Sequence, residues 1–422
     1  MEKLKEVIKT KTLRQSSITF GGSLVNGTLG AVFFILVARN LGPAAFGVFS
    51  LAVAVSTLLG DVADLGVNTG IVRFVGKFAH SDPSKALKFL KLGLEIKVSL
   101  GLGVVVLGYV AAPLLATLVF QKPEITQALR LSFVGVGGML LFTFTSASLQ
   151  AYQKFWHWSA LYVFTNALRL VFLFALISLQ SINITNSLVT YISIPFLGFV
   201  VGSFFTPVAK FLSLKGEFKV ASQFFDYNKW VALSAVISAV SSRLDTFISA
   251  RLLTEGELGI YSASNQLVQV VPQLIGALGT VIAPKMSAMA TNAFPKYLQK
   301  TQILVLIIAL LGLFGIPVAQ VLIPLFYGSE FVGSVPIFII LLLAMLVFLI
   351  ALPVHLAVYY HYGRPKLFFY IGLGHFAISL VVGWFMISKF GGIGAALTVL
   401  IGMIFSFVVP AVWVANKLTR QK

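Results

Sequence analysis

The sequence predicts an all-α integral membrane protein, with about twelve transmembrane helices in two parallel six-helix repeats. Three observations lead there. Of the 422 residues, 58% are hydrophobic and only 10% are charged, where a soluble domain carries about 25%. The mean hydropathy is +0.96. Uncharged runs recur at 98–121, 131–153, 301–329, 367–388 and 390–416, each longer than the roughly 20 apolar residues that cross a bilayer core. The third observation is an internal repeat of about half the chain. A soluble helical core would need a charged exterior, and a membrane β-barrel would alternate over about ten residues. Neither pattern is present.

The spans are expected at 16–39, 44–66, 92–118, 125–150, 158–179, 188–210, 230–252, 258–282, 302–325, 335–359, 367–388 and 391–415. The stretch 170–209 is uncharged for twice a span's length. Its polar centre (Gln180, Ser181, Asn183, Thr185, Asn186) divides it in two. The charged segment before the first span lacks a cleavage site, so that span is expected to be retained.

The net charge is +18, and the basic residues lie between spans instead of on a folded basic domain. Nucleic acid is therefore not expected as a partner. One side holds Lys3, Lys5, Lys9, Lys11 and Arg14, then Arg73, Lys77, Lys85, Lys88 and Lys91, then Lys154, Lys210, Lys215, Lys219 and Lys229. It continues with Lys285, Lys296, Lys300, Arg364 and Lys366 and ends with Lys417, Arg420 and Lys422. The other side holds only Arg39, Lys122, Arg130, Arg251 and Lys389. Lysine and arginine accumulate in cytoplasmic loops, so a multi-pass protein of the cell membrane with both termini cytoplasmic is expected. There is no cysteine, which excludes disulfides and thiolate metal sites.

Residues 38–50 resemble residues 250–262, an offset of 212. At the same offset Arg73 matches Lys285, Pro83 matches Pro295 and Lys88 matches Lys300. Six helices per copy is an even number, so both copies share one membrane orientation, related by an axis along the membrane normal. This divides the chain into an N-lobe (1–210), a cytoplasmic linker (211–229) and a C-lobe (230–422). Parallel six-helix repeats are a transporter design, with the substrate site at the repeat interface.

A charge near the bilayer centre costs about 2.5–3.5 kcal/mol on insertion scales, so it should face a cavity or a partner. Arg169 lies midway along the fifth span, and Arg243 and Asp245 lie in the seventh. Glu95 and Lys97 lie near the inner end of the third span, and Asp61 and Asp64 near that of the second. Arg169 and Arg243 are candidates for a cationic cavity, because guanidinium groups bind phosphate bidentately and stay charged. Arg73 and Lys285 at the basic rim are further candidates for substrate contact. Asn265, Gln269 and Gln273, spaced by four, share one helix face, and Asn265 and Gln269 are taken as cavity wall. No nucleophile–base arrangement, phosphate-binding glycine loop or metal-ligand spacing stands out. No enzyme, catalytic residue, cofactor or metal is expected.

The segment Arg39-Asn40-Leu41-Gly42-Pro43-Ala44-Ala45-Phe46-Gly47-Val48-Phe49, followed by Asp64-Leu65-Gly66 and a basic stretch, resembles the polysaccharide-biosynthesis flippases. These belong to the multidrug/oligosaccharidyl-lipid/polysaccharide exporter superfamily. The resemblance implies a two-lobed, V-shaped transporter. Its implied substrate is an oligosaccharide on a polyprenyl (pyro)phosphate, moved from the inner to the outer leaflet, with the phosphate received in a cationic lumen. Implied partners are that lipid-linked oligosaccharide, membrane lipids and other polysaccharide assembly proteins. Some relatives bind sodium near an acidic residue of the seventh helix. Asp245 and Thr398 correspond, which makes them candidates for Na+ or H+ coupling, although a second carboxylate is missing. The alternatives are a multidrug or cation antiporter of the same architecture, which should place carboxylates in its cavity, and a non-transporting scaffold for polysaccharide assembly, which would need no buried arginine.

Overall fold

In the computed structural model, residues 11–212, 214, 217–287, 289–290, 292–364 and 366–419 are described. Lys3, Lys5, Lys9, Lys215, Arg420 and Lys422, which the charge count uses, lie outside them. The described residues form helices and no strands: α1 Lys11–Asp64, α2 Val67–Phe78, α3 Pro83–Leu114, α4 Thr126–Ala151, α5 Phe155–Ser178, α6 Ile184–Ser203, α7 Val208–Leu212 and α8 Phe218–Ser241. The second part follows with α9 Leu244–Leu252, α10 Glu255–Val268, α11 Val270–Ser287, α12 Phe294–Gly312, α13 Gly315–Tyr327, α14 Ser334–Leu356, α15 Lys366–Ala377 and α16 Gly383–Thr419.

Among the described residues, nine helical stretches are long and apolar enough to cross a membrane, or ten if the bent pair α8–α9 is one span. The chain is a multi-pass membrane protein. Its outward faces are apolar: on α3, Leu107 and Val110 are 72% and 75% exposed. A hydrocarbon solvent tolerates such faces and water does not. Two of the nine stretches are far longer than a bilayer is thick. Ile18–Asp64 breaks at Gly42, where φ is 75° and ψ is 171°. Lys366–Thr419 breaks at Gly391, where φ is 59° and ψ is −138°. At positive φ a side chain would be strained and glycine is not.

Several boundaries move from their expected places for local reasons. The third span begins at Pro83 instead of 92, because Asp82 caps the helix by accepting the Lys85 N–H and Pro83 opens the first turn. Lys85, Lys88 and Lys91 therefore ride on a helix that reaches past the hydrocarbon. The ninth span, expected as one helix over 302–325, divides into α12 and α13. The eighth opens on Thr254, whose hydroxyl accepts the Glu257 N–H while Glu257 accepts the Thr254 N–H. This capping box satisfies two orphan donors at once.

The chain forms two compact units: Met1–Leu41 with Val48–Val240, and Gly42–Gly47 with Ser241–Lys422. The first therefore takes in most of 211–229, the segment expected to be a linker. Phe211, Val220 and Phe224 are buried there with Phe74, Phe89 and Phe144. α2 is amphipathic: Val67, Ile71, Phe74 and Val75 are buried, while Arg73 and Lys77 are exposed. In the second unit Gly47 and Gly259, which share one position in the repeat, face each other. A methyl group on Gly259 would fall 1.9 Å from the Pro43 carbonyl oxygen, and one on Gly47 would fall 2.1 Å from that of Glu255.

Candidate functional site

Arg169 lies on α5, fifteen residues into the helix. At 1.5 Å per residue that is about 21 Å from its start, deep in the apolar layer. The side chain is held on two sides. Its Nη1 donates to Asn166 Oδ1 at 2.7 Å, and Asn166 in turn donates to Asn26 on α1. The guanidinium lies over the Tyr191 ring of α6 at 4.3 Å and over Phe33 at 5.5 Å. A desolvated cation–π contact contributes about 2 kcal/mol, which offsets much of the insertion cost. Among the described residues the buried Nε has no hydrogen-bond acceptor.

This arginine borders a cavity of about 250 Å³ walled by four helices of the first unit, α1, α4, α5 and α6. Asn26, Thr57, Thr143, Asn166 and Tyr191 supply polar groups, and Met139, Phe142 and Pro195 supply apolar surface. No Asp or Glu is among the lining residues. Thr143 connects the wall to a buried ion pair. Lys97, fully buried on α3, donates to Thr143 Oγ1 at 2.7 Å and lies 2.7 Å from Asp64 Oδ1. Asp64 also accepts the Asn68 N–H at 3.3 Å, across the Leu65–Gly66 break. The lysine charge is thus neutralised by Asp64, while Arg169 has no carboxylate within ion-pair distance among the described residues.

The other site residues fall elsewhere. Arg73 is exposed on α2, stacked over Tyr227 at 4.2 Å. Arg243 and Asp245 belong to the second unit, Arg243 just before α9 and Asp245 in its first turn. Asp245 accepts from the buried Tyr261 hydroxyl on α10 and from Thr246 at 3.4 Å. Thr398, 1% exposed, spends its hydroxyl on the Gly394 carbonyl at 2.8 Å. Its methyl and that of Ile248 both approach Gly383, so α9 packs on α16 there. Lys285 is exposed in the last turn of α11. Gln269, exposed after α10, donates to Asn265 at 3.4 Å. Sequence reasoning missed Asn26, Asn166 and Tyr191, which hold or border Arg169, and Tyr261, which holds Asp245. Among the described residues no three His, Asp or Glu side chains gather as a metal site.

Residues 12–290 match the profile of the polysaccharide biosynthesis protein family. The chain belongs to that family. A Shigella flexneri protein with the provisional name O-antigen transporter is 21% identical over 383 residues, covering 86% of this chain and 88% of that one. The lipid II flippase MurJ, solved in an inward closed conformation, superposes with a TM-score of 0.76 at 17% identity, over 94% of this chain and 87% of that one. An inward-facing multidrug-resistance MATE transporter of the MOP superfamily gives 0.65 at 12% identity, over 94% and 95%. An outward-facing one gives 0.59 at 14% identity, over 97% and 96%. This family member thus has the MOP transporter fold, as the motif around Gly42 and Phe46 implies.

Proposed function

We propose that this protein is a flippase for polyprenyl-(pyro)phosphate-linked oligosaccharide, with Arg169 binding the phosphate. The observation that carries this is the unneutralised guanidinium in a cavity whose lining holds no carboxylate. Such a site attracts an anion and repels a cation, and Arg adds planar, bidentate recognition of phosphate. The wall of asparagine, threonine and tyrosine side chains offers further hydrogen bonds to phosphate or sugar oxygens. A cation antiporter would want a carboxylate where Arg169 stands. A scaffold would have no use for a charge held at this depth.

Family membership and the O-antigen name of its relative support a polysaccharide substrate. The shared fold, solved in inward- and outward-facing forms, supports alternating access. Breaks in Ile18–Asp64 and Lys366–Thr419 at Gly42 and Gly391, with α8–α9 taken as one span, support a reading of twelve crossings, and the lysine asymmetry supports cytoplasmic termini. Coupling to Na+ or H+ is assigned to Asp245, where the Tyr261 hydroxyl stands as a neighbour in place of the missing second carboxylate.

The test is reconstitution in vesicles with a fluorescent lipid-linked oligosaccharide and, separately, a cationic dye. Protein-dependent movement of the glycolipid and not of the dye is expected. Dye transport without glycolipid movement would support the antiporter instead.

A further inference from the structure

A second cavity of the first unit, about 400 Å³, lies where helix ends meet. Its walls come from the start of α3 (Pro83, Leu87), the α4–α5 connection (Tyr152, Lys154), the end of α6 (Phe204, Phe205) and α7 (Lys210). The cavity is basic, with two lysines and no acidic residue in its lining. The nearest carboxylate along the chain, Asp82, is turned to the Lys85 N–H at 3.0 Å. Lys154 is fixed in place by donating one proton to the Phe205 carbonyl at 2.8 Å. The ammonium group has three protons, so two remain to be shared. Lys210 is exposed.

Around these charges the surface turns aromatic and apolar. Phe204 is 83% exposed and Trp156 66% exposed, and the His157 ring packs on Phe205 at 5.0 Å. Exposed aromatic rings next to lysines at span ends mark the headgroup level of a bilayer. Basic pockets between spans on the cytoplasmic side take anionic headgroups. Lys85, Lys88 and Lys91 lie on the same helix as Pro83 and Leu87, which puts this cavity on the lysine-rich side.

We propose that this cavity is a binding site for an anionic phospholipid of the bilayer, such as phosphatidylglycerol. Lys154 and Lys210 hold the phosphate, and Phe204, Phe205 and Leu87 face its acyl chains. The site is separate from the Arg169 cavity and does not depend on what that cavity binds.

The test is native mass spectrometry of the full-length protein released from a membrane of equal phosphatidylglycerol and phosphatidylethanolamine. Wild type is expected to retain phosphatidylglycerol in preference, and removing each lysine should lower the preference about fivefold. Lys154→Gln/Lys210→Gln should bind both lipids alike, Lys154→Arg/Lys210→Arg should keep the preference, and Lys389→Gln in the second unit should change nothing. If the double glutamine variant does not fold, Lys210→Gln alone decides by the same fivefold fall. Equal retention by wild type, or an unchanged preference without the lysines, would overturn the proposal. With a polyprenyl phosphate added to the same membrane, its binding with no uptake of phosphatidylglycerol would overturn the proposal too, by assigning the cavity to the carrier lipid.

Discussion

Lys97 and Asp64 form an ion pair 2.7 Å long in the interior of the first unit, with the lysine wholly buried. The pair ties α3 to the end of α1, and through Thr143 to the wall of the Arg169 cavity. Replacing Lys97 by Met leaves Asp64 unpaired in an apolar setting, a change that costs about 3–5 kcal/mol. Thermal unfolding in detergent should therefore show a large loss for Lys97→Met and a partial recovery for Lys97→Met/Asp64→Asn. A loss as large in the double variant as in the single one would show that packing, and not the charge left behind, dominates.

The close approach of Gly47 and Gly259 leaves no room for a methyl group, since the obstructing atoms are backbone. Gly259→Ala and Gly47→Ala should each cost about 1–3 kcal/mol, the range of overpacking. Gly256, with open space where its methyl would be, is the control on the same helix. Gly256→Ala should leave the melting temperature of the purified protein unchanged, and the other two should lower it.

Glu217 accepts a hydrogen bond from Lys88 at 2.6 Å, and that bond, with the lysine charge, holds its carboxyl below the ordinary 4.5. A depressed carboxylate stabilises the folded form above its unfolded pKa and loses that contribution as pH falls through its folded pKa. Attachment of α8 to α3 should thus be constant through neutral pH and weaken only as pH falls below 4.5. A spin-label distance between the two helices would report it. Glu217→Gln should give the loosened distance at neutral pH, with no further change in acid.

Asp245 takes its hydrogen bond from Tyr261, a side chain 0% exposed. Tyr261→Phe removes the donor and keeps the ring, at a cost of about 1–3 kcal/mol for the buried acceptor. If Asp245 couples transport to an ion gradient, Asp245→Asn should still bind substrate but no longer respond to Na+ or pH gradients in vesicles. A normal gradient response in Asp245→Asn would remove it from coupling.

Much of this fold is written in the sequence because a bilayer imposes a length and forbids charge. Arg169 stood out for that reason, as an ionised group in a run that has no other. Its supporting residues did not. Asn26 and Asn166 are 140 positions apart, and nothing local marks an amide pair that only the packing of α1 on α5 creates. Lys215, Glu217 and Lys219 make 211–229 look like a polar linker. The contrary signal was the spacing of four between Val220 and Phe224, which puts both on one helix face, turned to Phe74 and Phe89. Span ends shifted where capping acted, as at Asp82, since hydropathy senses the hydrocarbon and not the helix that extends beyond it.

Arg169 is where the proposed function is most exposed to disproof. The direct measurement is the initial rate of glycolipid translocation in vesicles by Arg169→Gln against wild type, at matched reconstitution and melting temperature. A charge-assisted hydrogen bond is worth about 1.5–3 kcal/mol, so a fall of about tenfold or more is predicted, with Arg169→Lys intermediate. A wild-type rate in folded Arg169→Gln would contradict phosphate binding at this site.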